Sequence, residues 1–418
     1  MQNQSRTFEI SEIASWFGPY NVQVHDNPYS FYNYLLEQEP VRYLEWHNMW
    51  VVSRYEDVNR VLKDPLFVRE NRNAMPQHQQ EEQPPQSQNT PWEPVNNLLD
   101  NWMLLRDAPT HTRLRGLVSH SFTPRSMERL KQNIRSIAEH LAEQMAEEDQ
   151  PDLIQSFAFP LPVIVIAEML GVPPEDREMF KEWSHTFARI LEGGGDQTPE
   201  FAEQSVRAAV EITAYFRSLI AERKVSPRED MISDLLAAKE QTDALTEQEL
   251  IATCVLLLVA GHETTVNLIG NTMLALLNHP EQYARLLENP TLIPSAVEEG
   301  LRYESPVQMT SRLASVDYEL GGQTILQGQV VQVMLGAANR DPAQFSHPNQ
   351  FDIGRTPNRH LAFASGAHFC LGAPLARLEG EIALTAMLKH FPQMRLADAA
   401  PNWRHNVLFR GMGTMHVR

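Results

Sequence analysis

The chain has little cysteine: two in 418 residues, Cys254 and Cys370. That excludes a secreted scaffold stapled by disulfides. Positive charge is also short, with 35 Lys and Arg against 53 Asp and Glu and a net charge of −18. A nucleic-acid or anionic-membrane binder is therefore not the default, although a local basic patch stays possible within such a total. Long apolar runs are missing too. The longest, around Val163–Ile166 and Val255–Ala260, fall far short of the ~18–20 residues of a membrane span. The N-terminal stretch MQNQSRTFEISEIASWF lacks the basic start and apolar centre of a signal peptide. The expectation is a soluble cytoplasmic protein. What is present, 42% hydrophobic and 21% charged residues, suits a globular chain able to bury a large core without cross-links.

No internal repeat or long linker separates domains, so one domain over residues 1–418 is expected. One stretch, Pro76–Pro91, holds six Gln and four Pro. It cannot bury enough apolar area to offset its ordering entropy and reads as a mobile surface loop, either a neutral insertion or a lid. Helical spacing dominates between Pro124 and Pro290. Met127, Leu130, Ile134, Ile137, Leu141 and Met145 mark a helix over Arg125–Glu148. Further helices are expected at Asp152–Gly171, Arg177–Leu191 and Glu200–Arg223, with Gly193, Gly194 and Gly195 as a break. The longest opens at Thr246, with Glu249 completing a capping box, and stops at His279-Pro280. Apolar nearly all round at Val255–Val259, it should be the buried central helix, with Cys254 an inert thiol inside it. After Pro306, Tyr318–Leu320, Thr324–Leu326 and Gln329–Met334 read as short strands, and Pro374–His390 as a closing helix. The fold class is mainly α with small sheets.

The chemistry concentrates in Phe363-Ala364-Ser365-Gly366-Ala367-His368-Phe369-Cys370-Leu371-Gly372. A lone cysteine cannot close a four-ligand zinc site. It can serve as a nucleophile or as a single axial ligand to a cofactor metal. A helix begins about three residues later, and its positive end favours the thiolate. Gly366 and Gly372 would let the backbone bend and approach a flat ligand.

This run resembles the cysteine loop of the cytochrome P450 family, FxxGxHxCxG, except that Ala364 stands where the family often has Gly. The resemblance implies a single-domain P450 fold, a helix-rich triangular prism with haem b between the long central helix and the cysteine-loop helix. Cys370 would then be the axial thiolate. Phe363, Gly366, Gly372, Ala260 and Gly261 would line the haem.

Three further stretches carry the resemblance. Glu299-Gly300-Leu301-Arg302 is similar to the family's ExxR element, with Arg355 as its second arginine, a structural network fixing the cysteine loop. Ala260-Gly261-His262-Glu263-Thr264-Thr265 puts poor helix formers in a helix interior. Either it is a glycine packing site with a solvated acid, or it is the family's acid–alcohol pair. In that second case Thr264 opens the helix and holds water, and Glu263 relays protons. His111 and Arg115 resemble the HxxxR element and, with Arg312 and His368, would hold the haem propionates.

The implied activity inserts one atom of O2 into an apolar organic molecule, by hydroxylation or epoxidation, with a similarity to the polyketide- and macrolide-tailoring group. Electrons would come from a separate ferredoxin-type partner, docking on a basic face that includes Arg377 and Lys389. Trp102, Ala260, Thr264, Val307, Met309, Val407 and Leu408 are candidate substrate contacts. A monomer, with no nucleic acid and no membrane, is expected. The rivals are a peroxide-driven haem-thiolate enzyme, which usually lacks the acid–alcohol pair, and a non-enzymatic haem sensor.

Overall fold

Thr246 and Glu249 open the longest helix by reciprocal capping. The Glu249 N–H donates to Thr246 Oγ1 at 3.1 Å, and the Thr246 N–H donates to Glu249 Oε2 at 2.9 Å. In the computed structural model the helix then runs unbroken over Glu247–Asn278, about 48 Å at 1.5 Å per residue. It is long and apolar enough to cross a membrane, but 83% of its most apolar window is buried inside the protein. That is how a core helix behaves. The structure describes residues 26–76, 90–192, 198–242, 245–397 and 401–418. Residues 77–89 of the Gln-rich stretch and the glycines at 193–195 lie outside them.

The chain divides into two compact units, each discontinuous in sequence. The first comprises Met1–Pro76, Ala138–Ala158 and Thr264–Arg418. It holds β1 (Val41–Leu44), β2 (Met49–Val52), β3 (Phe67–Val68), β4 (Met309–Ala314), β5 (Tyr318–Leu320), β6 (Gln323–Ile325) and β7 (Val330–Met334). Five of these form one sheet in the order β1-β2-β7-β4-β3, and β5-β6 is a separate hairpin. Only the β2–β7 pairing is parallel, with Met49 opposite Val330. Neighbouring residues of a strand face opposite sides. Val52 and Val333 accordingly join a cluster with Val58, Val61 and Leu335, while Val51 and Met334 join Phe31, Tyr32 and Leu35. Strands β5 to β7 match the expected ones within a residue; β1 to β4 were not expected. Among the helices of this unit, Ile293–Tyr303 and Ala373–His390 pack together, and a Cβ on Gly380 would stand only 3.2 Å from Val297.

The second unit, Gln77–Ile137 and Phe159–Glu263, contains helices and no strand among its described residues. The single helix expected over Asp152–Gly171 is in fact two pieces. A π turn covers Ile154–Ala158 and a new helix starts at Pro160. Pro160 cannot donate an N–H back to the preceding turn but suits a first helical position. Met231–Thr242 is an additional helix, and Asp230 accepts from the Ser233 N–H at 2.8 Å to begin it.

Candidate functional site

In the first unit the cysteine loop is a tight return. The Cys370 N–H donates to Phe363 O at 3.0 Å, Phe369 N–H to Gly366 O at 3.1 Å, and Ala364 N–H to Leu361 O at 2.8 Å. Gly366 has φ +74°, and a Cβ there would fall 2.3 Å from the Leu62 carbonyl oxygen, so only glycine fits. Ala364 takes φ +56°, the left-handed region that disfavours a side chain. The helix Ala373–His390 begins three residues after Cys370, whose side chain is half-buried. Gly372 has φ −79°, so its backbone does not demand glycine. A Cβ there would meet only Cys370 Sγ, at 4.0 Å. Among the described residues the one cluster of three metal-ligating side chains is Glu139, Glu143 and His390, which does not include Cys370. A single thiol at a helix's positive end, beside a glycine whose Cβ position is uncrowded, suits a haem that would take this sulfur as its one protein ligand.

Behind this loop Glu299 and Arg302 are both fully buried on one face of helix Ile293–Tyr303. Arg302 makes a two-pronged contact, Nε to Oε2 and Nη2 to Oε1, both at 2.8 Å. Arg355 Nε donates to both Glu299 oxygens at 3.1 Å. Asn358 Nδ2 and the Asp352 N–H also donate to Glu299. Arg302 Nη1 donates to the Asn339 carbonyl at 3.0 Å, while Asn339 Oδ1 accepts the Leu361 N–H at 2.7 Å. Leu361 starts the cysteine loop, so the network reaches it through Asn339. The stretch Ala338-Asn339-Arg340-Asp341-Pro342 is part of the family resemblance, but sequence reasoning assigned Asn339 no role and missed Asn358.

Also in this unit, Arg312 lies on β4 at 3% exposure, with Nη1 donating to Ser311 O at 2.7 Å. His368 ends the short turn Gly366–His368 and is half-buried. Met309 sits within the Phe31–Tyr32 cluster, and Val407 and Leu408 pack against it. Val307 packs against the Val52–Val333 cluster. The two cations expected to mark a docking face are both matched. Arg377 pairs with Glu298 at 2.7 Å and Lys389 with Glu139 at 2.6 Å. Neither presents an uncompensated charge. Arg377 also lies 4.6 Å from the centre of the Phe363 ring.

In the second unit His111 and Arg115 stand one turn apart on Thr110–Ser119, the first buried and the second half-buried. Arg113, between them, pairs with the capping residue Glu249, Nη1 to Oε2 at 3.2 Å. Trp102 is fully enclosed, its ring 6.0 Å from that of Phe187, so it offers a ligand no open surface. Burial pushes the Cys254 thiol up, as an inert core cysteine requires.

On the long helix Ala260 is exposed, Gly261 and Thr264 are half-buried, and Glu263 is buried at 4%. An accessible patch in mid-helix, between buried turns, is where a ligand would lie. The expected opening at Thr264 is absent: the helix passes through Gly261–Thr265 without a break. A single glycine costs about 1 kcal/mol, too little to interrupt a helix whose flanking turns are buried.

Residues 15–394 match the model described as Cytochrome P450. The chain belongs to the cytochrome P450 family. It is 44% identical over 386 residues to the "Biotin biosynthesis cytochrome P450" of Bacillus subtilis (strain 168), covering 92% of this chain and 93% of that protein. It is 42% identical over 410 residues to the "Polyketide biosynthesis cytochrome P450 PksS" of the same organism, covering 96% and 98%. A solved structure of P450BioI with a hexadec-9Z-enoic acid ligated acyl carrier protein superposes with a TM-score of 0.86 at 42% identity, covering 94% and 98%. As a P450, the chain is a haem-thiolate monooxygenase that carries haem b on a cysteine sulfur.

Proposed function

We propose that this P450 hydroxylates or epoxidises a long apolar acyl or polyketide-like molecule, with Cys370 as the axial thiolate. The observation that carries the assignment of Cys370 is its place in a tight loop, closed by its own N–H on Phe363 O and by Gly366 at φ +74°, three residues before helix Ala373–His390. Cys254, sealed in the core, is no competitor. The substrate class rests on the names of relatives acting in biotin and polyketide biosynthesis and on the fatty acyl group in the similar structure.

Bound haem supplies dioxygen binding and its reductive activation. The chain's own residues do the rest. Arg312 and His368, with His111 and Arg115, neutralise the propionates. Phe363, Gly366 and Gly372 shape the sulfur side, and Ala260 and Gly261 keep their helix face low for the haem. The Thr264 hydroxyl holds a water and the Glu263 carboxyl passes protons toward it. Glu299, Arg302 and Arg355, through Asn339, hold the loop that carries the sulfur. Val307, Val407 and Leu408 border the substrate from positions packed on the sheet clusters, and Met309 supports them from within its cluster; Trp102, enclosed, acts only through the packing around it. Two electrons arrive from a separate ferredoxin-type protein, and the enzyme works as a cytoplasmic monomer in one domain.

Replacing Cys370 with Ala should abolish the red-shifted Soret band of the ferrous carbonyl complex, whereas Cys254→Ala should keep it. A retained band in C370A would put the axial ligand elsewhere. Thr264→Ala should bind substrate normally, by the low-to-high-spin shift, while sending reduced oxygen to peroxide. Unchanged coupling would remove the proton-delivery role.

A further inference from the structure

The long helix carries a buried histidine beside the acid–alcohol pair that the reaction scheme leaves unused. His262 is 1% exposed, and its Nδ1 lies 2.9 Å from Ser184 Oγ, also 1% exposed, on helix Arg177–Glu192. Its ring meets the Phe159 ring edge to face with centres 4.5 Å apart, and the Lys181 ammonium lies 4.8 Å from the centre of Phe159. All four residues belong to the second unit.

The helical wheel gives this contact a consequence. Each residue turns an α-helix by about 100°, so Ala260 and Thr264 lie about 40° apart, and His262 about 160° from either. Exposure follows that geometry: Ala260 is exposed, Thr264 half-buried and His262 sealed. One face of this turn is therefore anchored and the opposite face is open. The turn holds a glycine and two threonines, which weaken it locally, so side-chain packing adds to what the backbone supplies in holding it. Gly261 adds no clamp, because a Cβ there would make only ordinary contact with Ile166 at 3.6 Å.

We infer that His262, held by Ser184, is a positioning residue that fixes the rotation of the Ala260–Thr265 turn and so aims Glu263 and Thr264. The inference rests on the acid–alcohol reading above. Ser184 and His262 act on proton delivery through the helix and without touching substrate. Their loss should appear in the fate of oxygen before it appears in substrate binding.

The test uses haem-loaded protein and four variants: Ser184→Ala, His262→Phe, His262→Gln and Thr264→Ala. S184A and H262F should each lower product formed per electron pair, roughly fivefold for one lost buried hydrogen bond. Peroxide release should rise in step while the spin-shift affinity stays within twofold. Backbone amides of residues 260–265 should exchange with deuterium faster in both, with those of Ala373–His390 unchanged. H262Q, which keeps a side-chain hydrogen-bonding group, should recover most of the coupling. Should H262F fail to load haem, S184A alone carries the test, since it removes one oxygen atom. Normal coupling and normal exchange in S184A, with T264A uncoupled, would overturn the inference and leave the acid–alcohol reading standing. Normal coupling in T264A would overturn that reading and this inference with it.

Discussion

Two glutamates of the first unit are buried to the same degree and live in opposite surroundings. Glu299, at 0% exposure, accepts from Arg302, Arg355, Asn358 and the Asp352 N–H. Glu379, at 1% exposure on helix Ala373–His390, has an Oε2 with no hydrogen-bond partner. Burial alone pushes its carboxyl up from 4.5 to about 8. Partners, more than depth, decide whether a buried acid holds a structure together or strains it. The helix that follows the cysteine loop thus carries an unmet polar group, while the loop's other support is saturated.

Removing the saturated acid should do the most damage. Glu299→Ala leaves Arg302 and Arg355 facing each other without their shared carboxylate, a loss of about 3–5 kcal/mol for a broken buried pair. The bonds from Arg302 to Asn339 and from Asn339 to Leu361 would lose their anchor. Haem-loaded protein should fall sharply, measured as the ratio of Soret to protein absorbance. Normal loading in E299A would break the contrast, because the network would then be dispensable.

The opposite effect is expected at Glu379. The unfolded chain gives up this proton near pH 4.5 and the folded chain only near 8, so between those values the folded state holds a proton the unfolded state lacks. Stability must fall as pH rises across that window and level off above it. Glu379→Gln removes the titration and should flatten the fall, with a gain on the order of 4 kcal/mol at pH 8 and under about 1 kcal/mol at pH 5. Denaturant melts at the two pH values measure it. A variant with the same pH slope as the parent would mean that some other group titrates there.

The same contrast marks how far the sequence could be read. Thr246 with Glu249 announced the long helix because a capping box is local, its two members three positions apart. The cysteine loop was legible because its glycines, histidine and cysteine fall at every second position of one short stretch, Gly366 to Gly372, and Glu299 with Arg302 because one helical turn joins them. Strands β1 and β2 were not, since β2 finds its parallel partner β7 some 280 residues away, and no local pattern announces such a pairing. Asn339 links two elements only after both have folded. The isolation of Glu379 is likewise set by what packs around it, and its neighbours in sequence, Leu378 and Gly380, say nothing of that.

The smallest expected effect tests whether saturation around Glu299 is complete or excessive. Asn358 Nδ2 donates to Glu299 Oε2 at 3.1 Å, but Asn358 Oδ1 is itself buried without a partner. Asn358→Ala deletes one good bond to a carboxylate and one unmet carbonyl together. The first loss costs roughly 1.5–3 kcal/mol and the second relieves about 1–3 kcal/mol. The two nearly cancel, so N358A should shift stability by less than about 1 kcal/mol and keep its haem. A loss as large as that of E299A would show Asn358 to be as necessary as the arginines. The rule drawn from Glu379, that an unmet oxygen takes back what depth provides, would then fail in the very network where the donors are most plentiful.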